Sequence, residues 1–497
     1  MNSNNNNYNQ SPTALTPAFV NKIASMCYGS YYINNVGEDA FYKHIPEALS
    51  PIYKQAVLWH QWSSSGFVPT FHEGRNGIIQ TNIGVCLTDT IARILGGRIF
   101  CRSTNSQLKD IVGNINLDNV VNQAIAYAVK DGTAMVKADV DESGNITFNA
   151  YPLNRFIASG VDAKGNIRKA RFFIDVFESE REGTYWLVEK RTPKTVKYYI
   201  TKDDGTSKPK HVSYLDLGEK GKRWIDSYEG IKLDEEMPLP FEDAGCYLLK
   251  VRNLAYNPMS PYGESYLQPV LNDLYEYEYA ESGKIVDMYT GRARIMVSQQ
   301  YANQGSGVSG LDSFMYLVAP DNSIDSAKPT SVQFDYRTDE HIKMKEEILE
   351  TMAAKIGISG VSLATFLKSQ GVKTATEVNA ETDLTASFAS GVRRTFIIPF
   401  INKLVDTLIK FYHLPLASYT ISLPTSGFSS SAVRNSQAIA LYQAGLASIE
   451  QALRIIYPDA DASSIREMAG AIKSERSEVL IEYGKDCLRS SYCLSRR

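Results

Sequence analysis

The sequence is poor in the residue patterns that build metal and disulfide sites. Its 497 residues include six histidines and six cysteines, and none of them forms an HExxH, HxH or CxxC motif. Structural zinc sites and disulfide scaffolds need closely spaced ligands, so the scattered thiols favour a protein of the reducing cytosol. Isolated histidines of this kind are more often structural or surface residues than ligands. We therefore expect no metal site and no cofactor.

Long apolar runs and an excess of one charge sign are also missing. No apolar stretch reaches the roughly 18–20 residues that span a bilayer, and no signal-peptide core follows the start, so no membrane contact is expected. The 52 basic and 55 acidic residues nearly cancel, for a net charge of −3. Tight binding to DNA phosphates normally requires a basic face, so the overall charge does not support it. A surface along which DNA slides is compatible with this balance.

Enzyme motifs are scarce. The chain has no GxxxxGK[ST] phosphate loop and no GxSxG nucleophile turn. One GxGxxG occurs at 305–310, but the run that follows, LDSFMYLV, is strand-like where a dinucleotide-binding fold needs a helix. A flexible hairpin loop is the better interpretation. The acidic clusters EYEYAES and DEEM lack the histidines or the DxDxDG loop of a metal site, so solvated faces are expected. We expect no enzyme activity, with a nucleotide-binding enzyme as the weaker alternative.

The hydrophobic periodicity is that of an α+β chain. Polar, asparagine-rich residues at 1–15 predict a disordered tail. Between 133 and 251, short β-branched and aromatic runs separated by turns predict an antiparallel, meander-like region. Before that region, one helix that ends at a Gly-Gly pair carries an apolar face made of Ile83, Leu87, Ile91 and Leu95.

From residue 261 onward, the predicted elements follow a definite order. Pro399 lies inside the last long helix, where an interior proline costs about 3 kcal/mol, so a kink is expected there. The chain closes with short helices and a mixed-charge tail at 431–497. The elements before Pro399 are a helix at 261–291, a compact β excursion at 292–336, a second helix at 337–357 capped by Thr338, a glycine-punctuated loop at 358–373, and the long helix from 374.

The amino-acid sequences of several segments fit this order of elements. GVKTATEVNAETDLTASFASGVRRTF opens the long helix, and Gly263-Glu264-Ser265 precedes LQPVLNDLYEYEYAESGKI. Together with AYAVKDGTAMVKADVD and LYQAGLASIEQALRIIYPD, these segments resemble the portal proteins of tailed bacteriophages, most closely those of long-tailed phages of Gram-positive hosts. The resemblance spans roughly residues 80–480.

The resemblance implies a portal-protein fold with wing, stem, clip and crown regions in a ring-forming subunit. It places the wing at 16–260, the first stem helix at 261–291, the clip at 292–336, the second stem helix at 337–357, the tunnel loop at 358–373, the long kinked helix with the return to the wing at 374–430, and the helical crown and tail at 431–497.

The resemblance also implies a function. Portal subunits form a ring, usually of twelve, at one capsid vertex of the virion, which is assembled in the host cytoplasm. The ring is the channel for packaging and ejection of double-stranded DNA. The implied partners are further copies of the chain, the DNA, the terminase large subunit, the head–tail adaptor, and the major capsid and scaffold proteins. Another virion assembly protein stays open as an alternative, although the long helix lacks a strict heptad.

The first helix carries a set of acidic residues opposed by a single lysine, Lys284. Copied around a ring, carboxylates would repel the phosphate backbone and keep DNA from sticking. The alternative is a solvated helix face, or pairing with Lys343 and Lys345 on the next helix. The candidate lining residues are Asp273, Glu276, Glu278, Glu281 and Asp287.

The glycine-punctuated loop is the second candidate site. In a portal ring it would project into the channel, where lysines contact phosphates transiently and polar neighbours add hydrogen bonds. The alternative is an ordinary loop between helices. The candidate DNA-channel residues are Lys368, Ser369, Gln370 and Lys373, and the candidate hinges are Gly357, Gly360, Gly371 and Pro399.

Overall fold

The computed structural model describes most of the chain. The asparagine-rich tail at 1–15, the GxGxxG motif at 305–310 and the end of the chain after 472 lie outside the described residues. The residues that the structure describes are 44–63, 81–103, 105–141, 143–162, 166–179, 183–203, 209–228, 230–290, 294–298, 316–319, 330–332, 337–360, 375–415, 419–423, 431–457 and 465–472.

The structure is a mixture of helices and sheets, as predicted. The helices are α1 (Ser50–Ser63), α2 (Ile83–Leu95), α3 (Ser106–Asn114), α4 (Leu117–Asp131), α5 (Glu219–Asp226), α6 (Leu271–Thr290), α7 (Thr338–Ile356), α8 (Ala375–Val392), α9 (Ile398–Phe411), α10 (Ser431–Gln443) and α11 (Ile449–Ile456). The strands are β1 (Phe100–Ser103), β2 (Thr133–Val140), β3 (Ile146–Pro152), β4 (Phe156–Val161), β5 (Ile167–Ser179), β6 (Gly183–Thr192), β7 (Thr195–Asp203), β8 (Lys210–Val212), β9 (Glu236–Pro238), β10 (Cys246–Lys250), β11 (Arg294–Ser298), β12 (Tyr316–Ala319), β13 (Thr330–Val332) and β14 (Tyr419–Ser422).

The main core joins helices α1, α2 and α4 to the β-rich region. The apolar face predicted for α2 is buried, and the helix ends before Gly96 as expected. Helix α4 ends at Gly132, whose φ is +81°. A Cβ added at Gly132 would lie 2.7 Å from the carbonyl oxygen of Gly263. Only glycine permits both this backbone conformation and this close approach of two chain segments.

The β-rich region between 133 and 251 is antiparallel, which confirms the prediction. Strands β10, β2 and β3 form one sheet in that order. Strands β4 to β8 follow one another as a meander in a second, six-stranded sheet, and β9 pairs with β7. Strands that follow one another in sequence and are joined by short connections usually pair, so alternating β runs and turns predict a meander of this kind.

A network of four charged side chains joins these two sheets. Lys137 and Asp139 of β2 meet Glu189 and Arg191 of β6. The Nζ atom of Lys137 lies 2.9 Å from Oε2 of Glu189 and 3.2 Å from Oδ2 of Asp139, and Arg191 pairs with both carboxylates. Burial would lower the pKa of Lys137 and of Arg191, but the adjacent carboxylates raise both pKa values above their ordinary range. Lys137 and Arg191 therefore stay charged inside the fold.

Helices α6 and α7 confirm the two helices predicted after residue 261, with corrected boundaries. Helix α6 begins at Leu271, after a 3-10 turn at Gln268–Val270, and not at 261. The preceding residues hold the chain against the core instead. The Ser265 hydroxyl donates to the carbonyl oxygen of Val129, at 2.9 Å. Thr338 is the first residue of α7 and not its N-cap, because Arg337 holds that position without a side-chain cap.

The β excursion contains three paired strands, as predicted, but their topology differs from a hairpin. Strand β11 pairs in parallel with β12 and antiparallel with β13. Parallel neighbours cannot be joined by a tight turn, because the chain must cross over to start the second strand at the same end. The pairing of β11 with β12 is therefore not that of a β-hairpin, and the residues between them, for which a hairpin loop was predicted, lie outside the described residues.

The long helix is interrupted where a kink was expected. Helices α8 and α9 are joined by a π-helical turn at Arg393–Ile397, and Pro399 lies in the first turn of α9. A proline donates no backbone hydrogen bond, and wider π turns are one way in which helices accommodate that loss. The Arg393 side chain, buried in this turn, reaches the end of α2. Its Nε donates to the carbonyl oxygen of Leu95 at 3.0 Å, and its Nη2 donates to those of Ile94 and Gly96 at 3.0 and 2.7 Å.

After α9 the chain returns to the main core through β14 and then forms a small group of helices with its own apolar cluster. Strand β14 pairs antiparallel with β1, which lies near the start of the fold. Beyond it, α10, α11 and a helical segment at 465–472 match the short helices predicted for the end of the chain. Leu453, Ile465 and Ala469 form a separate apolar cluster there.

Candidate functional site

Helices α6 and α7 pack along each other as an antiparallel pair. Charged partners meet in reverse order along the two helices: 273 with 355, 281 with 345, and 287 with 341. At one end, Leu274 and Met352 belong to the main core. The other end leads into β11 and receives the chain from β13. The predicted acidic residues lie along this pair, so we treat it as the candidate site.

Three of the five predicted carboxylates pair with bases on α7. Asp273 accepts from Nζ of Lys355 at 2.7 Å. Glu281 pairs with Lys345, the partner that the alternative interpretation named, and also with Lys284 at 3.3 Å. Lys343, the other lysine named there, is exposed.

The third pair closes the end of the helices nearest to the β excursion. Oδ2 of Asp287 lies 2.8 Å from Nε2 of His341 and 3.1 Å from a guanidinium nitrogen of Arg337. The hydrogen bond with His341 and the charge of Arg337 hold the pKa of Asp287 below its usual value. At Glu281, burial would raise the pKa, but the hydrogen bonds and charges of Lys345 and Lys284 together bring it below its usual value. Both carboxylates therefore stay charged and neutralised by α7.

Glu278 has a different role, because it holds α6 to α2. Its carboxylate accepts from the backbone N–H of Thr81 at 2.8 Å and from the Thr81 hydroxyl at 2.9 Å. A backbone hydrogen bond from Ile83, the first residue of α2, also reaches it. Asn82 stands at the cap position of α2 but forms no side-chain cap. Glu278, which belongs to α6, thus accepts hydrogen bonds from donors at the N-terminus of α2. The helix dipole favours a negative charge at that end of α2.

Glu276 is the member of the set that remains exposed. It shares this face with Tyr279, which is 62% exposed, while the neighbouring Tyr277 and Glu278 are buried. An exposed carboxylate beside an exposed aromatic ring leaves this face of α6 open to solvent or to a partner.

Replacing Glu278 with glutamine should remove a pH dependence from the stability of the fold. Burial raises the pKa of Glu278, so the folded protein holds this proton more tightly than the unfolded chain does. The resulting stabilisation is complete below the unfolded value of about 4.3 and is lost as the pH rises through the native pKa. Urea unfolding at a series of pH values should show wild type losing stability relative to Glu278→Gln from about pH 4 toward neutrality.

Two further variants calibrate that experiment. Glu276→Gln, on the exposed face of the same helix, should change stability by no more than about 0.5 kcal/mol at any pH. Glu278→Ala should cost about 1–3 kcal/mol, because the Thr81 N–H then loses its acceptor. Parallel pH curves for wild type and Glu278→Gln would contradict the raised pKa, and a Glu278→Ala variant as stable as wild type would contradict the cap role.

The remaining predicted residues are placed in part. Gly357 ends α7 with φ +91°, a left-handed conformation that favours glycine, and Gly360 follows within the described residues. Pro399 follows the π-helical turn. The DNA-channel residues Lys368, Ser369, Gln370 and Lys373, with the hinge Gly371, lie outside the described residues. Their roles stay predictions.

The sequence reasoning missed the partners of the acidic set. Lys355, His341 and Arg337 were not singled out, and neither was Thr81. A signal for Lys355 and His341 was present, because their spacing on α7 equals that of Asp273 and Asp287 on α6. No local pattern connects Thr81 to Glu278, since the two residues are far apart in sequence.

The described part of the chain has no cluster of metal ligands and no helix that could span a bilayer. No group of three or more histidine, cysteine, aspartate or glutamate side chains is arranged there to hold a metal ion. None of the helices described is both long and apolar enough to pass through a bilayer.

Comparison with known proteins gives matches among solved structures. No family model and no curated protein matches the chain. The chain is similar to a chain from the neck of an empty GTA particle computed with C6 symmetry, at a TM-score of 0.42 and 11% identity, over 81% of this chain and 93% of that one. It is also similar to a chain from the neck of a native GTA particle computed with C12 symmetry, at a TM-score of 0.39 and 12% identity, over 84% of this chain and 99% of that one.

Proposed function

We propose that this chain is a portal subunit, a structural protein of which about twelve copies close into a ring at one capsid vertex. The ring is the passage for double-stranded DNA during packaging and ejection. It has no catalytic role, and the energy for DNA movement comes from a separate terminase motor. The portal-like order of segments in the sequence is one support for this proposal, and the α6–α7 pair is the other.

The observation that carries the proposal is how the α6–α7 pair is built into the chain. One end is embedded in the main core and tied to α2 by Glu278, while the other end bears the three-stranded module of β11, β12 and β13. Charge pairs at Asp273, Glu281 and Asp287 hold the two helices together along their length. A braced two-helix rod between a large domain and a small β module suits the stem of a ring, where neighbouring rods together form a wall.

A carboxylate of this rod that has no ion-pair partner among the described residues would give a channel lining that repels DNA. The carboxylates on the α7 side are neutralised by partners, but Glu276 is exposed and has no ion pair among the described residues. In a ring, Glu276 would be repeated at equal height around the axis and would repel a phosphate backbone. The other four predicted lining residues would then contribute mainly by keeping the rod rigid.

In the proposed channel, the segment after α7 would be the moving part. It begins at Gly357 in a left-handed conformation and ends before α8, and Gly360 and Gly371 would let it change direction. Lys368 and Lys373 would touch phosphates transiently, helped by Ser369 and Gln370. Pro399, next to the π-helical turn, would be the hinge of the long helix.

The β module would be the docking platform. Strands β12 and β13 are the two edges of its sheet, and an open strand edge can pair with a strand of another chain. Neighbouring subunits, the terminase large subunit during packaging and the head–tail adaptor afterwards are the proposed partners there. The major capsid and scaffold proteins are the proposed partners of the remaining surface.

The mass of the purified chain in solution tests the function at its first step. Mass photometry should show a closed species of about twelve subunit masses, with little material between monomer and ring. A population that stays monomeric at every concentration and salt tested would overturn the proposal.

Replacing both Lys368 and Lys373 with alanine should lower the amount of DNA that assembled particles retain. Two lost phosphate contacts, at about 1 kcal/mol each, correspond to a drop of about tenfold or more in retention. Lys220→Ala with Lys403→Ala removes the same charge from exposed positions elsewhere and should leave retention unchanged. If packaging and retention were unchanged in the loop variant, the proposal that Lys368 and Lys373 contact DNA in the channel would be wrong.

A further inference from the structure

A row of cations crosses three adjacent strands of the six-stranded sheet. In the strand register, Arg171 of β5 lies opposite Lys190 of β6, and Lys190 lies opposite Lys197 of β7. Directly opposed residues have Cβ atoms roughly 5 Å apart, and like charges in such positions destabilise a sheet. Three in succession are therefore unfavourable for the sheet unless an anion is bound against them.

The row lines an open cleft with a volume of about 420 Å³. Lys169 of β5 extends the positive lining, the imidazole of His211 of β8 lies at the edge of the cleft, and the hydroxyls of Ser159 and Tyr199 supply further donors. Ala170 is the one apolar residue among those that line it. The cleft is thus lined almost entirely by polar and charged residues, with the lysine stems and the Tyr199 ring supplying its apolar surface.

Acidic residues neutralise only one end of the row. Asp234 lies 3.4 Å from Nζ of Lys197 and 2.7 Å from Nε2 of His211, and Glu236 stands opposite Lys197 in the strand register. No carboxylate among the described residues comes within ion-pair distance of the other cations of the cleft, which are Lys169, Arg171 and Lys190.

We propose that this cleft is a second DNA-contacting surface, in which Lys169, Arg171 and Lys190 bind the phosphate backbone of double-stranded DNA without reading its sequence. The choice of DNA as the source of phosphate rests on the proposed function. The binding chemistry rests on the cleft itself.

The lining favours phosphate over a protein partner. Protein interfaces bury apolar anchors at their centre, and this cleft offers one alanine. Interfaces with nucleic acid are more polar and more positively charged. Arg171 keeps guanidinium donors beyond the one that its Nη2 gives to the His44 carbonyl oxygen at 3.3 Å, and together with the lysines and hydroxyls around it these match the oxygens of a phosphodiester.

The salt dependence of DNA binding tests the proposal on the full-length chain. A fluorescent duplex of mixed sequence is titrated at several salt concentrations with wild type and with a variant carrying Lys169→Gln and Lys190→Gln. Log K falls as log salt rises, and each lost phosphate contact reduces the steepness of that fall by about 0.9, so the variant slope should be less negative by about 1.8. Lys220→Gln with Lys403→Gln is the matched control, with the same charge change at exposed positions outside the cleft, and should keep the wild-type slope.

The outcomes separate this inference from the portal proposal, because the mass of each sample is recorded as well. An unchanged slope, or an equal fall in the control, overturns the cleft while leaving the ring intact. A cleft variant that binds DNA normally but fails to form rings makes the cleft a subunit contact and also overturns it. Full displacement of the duplex by inorganic phosphate at constant ionic strength would assign the cleft to a small ligand. A less negative slope in a chain that never forms a ring supports the cleft and refutes the portal.

Discussion

Glu189→Ala should lower the free energy of unfolding by about 3–5 kcal/mol, the range measured when one partner of a buried ion pair is removed. Glu189 is fully buried and pairs with both Lys137 and Arg191. Without it, two buried cations share the single carboxylate of Asp139. The cost arises less from the lost attraction than from the uncompensated charge that stays inside.

Urea unfolding followed by circular dichroism measures this effect. Glu178→Ala is the matched control, because Glu178 lies on the neighbouring strand β5 but is exposed, and it should change stability by no more than about 0.5 kcal/mol. Glu189→Gln keeps the shape and one acceptor, so it should fall between the two. Equal stability of Glu189→Ala and Glu178→Ala would show that the network does not join the two sheets energetically.

Arg393→Ala should destabilise the fold by about 3 kcal/mol, because it uncovers the C-terminus of α2. The last carbonyl groups of a helix have no partner within the helix, and Arg393 satisfies three of them. Hydrogen bonds to a charged donor are worth about 1.5–3 kcal/mol each, but part of this loss is recovered if water reaches the carbonyls. Arg393→Lys should be intermediate, since a single ammonium cannot copy the planar fork.

The adjacent residue offers a control within the same π-helical turn. Arg394 is exposed, and Arg394→Ala should change stability by no more than about 0.5 kcal/mol. Thermal and urea unfolding of the three variants beside wild type give the comparison. If Arg393→Ala proved as stable as Arg394→Ala, the contact between the long helix and α2 would be incidental to the fold.

Local patterns made much of the architecture predictable. Helix α2 follows from its apolar face and the Gly96-Gly97 stop, and β2 coincides with the run TAMVKADV. These elements are set by side-chain periodicity and turn residues within a short window, which a sequence displays directly. The start of α6 was less visible, because the residues before Leu271 are held by distant partners such as Thr133 and Val129.

Long-range pairing accounts for what could not be predicted. The parallel pairing of β11 with β12 depends on a crossover whose direction no local pattern specifies. The cationic row needs the register of three strands before Arg171, Lys190 and Lys197 become neighbours. Glu278 looks like any other carboxylate of an acidic helix until Thr81 is brought beside it. In each case a residue acquires its role from a contact that only the folded chain creates.

Electron cryo-microscopy of the assembled protein shows whether copies of this chain close around an axis with the α6–α7 rods forming the channel wall. We expect closed rings of about twelve subunits, with a central opening wide enough for duplex DNA and with Glu276 facing that opening. Open filaments, discrete monomers, or rings in which α6 lies on the outer surface would contradict this expectation.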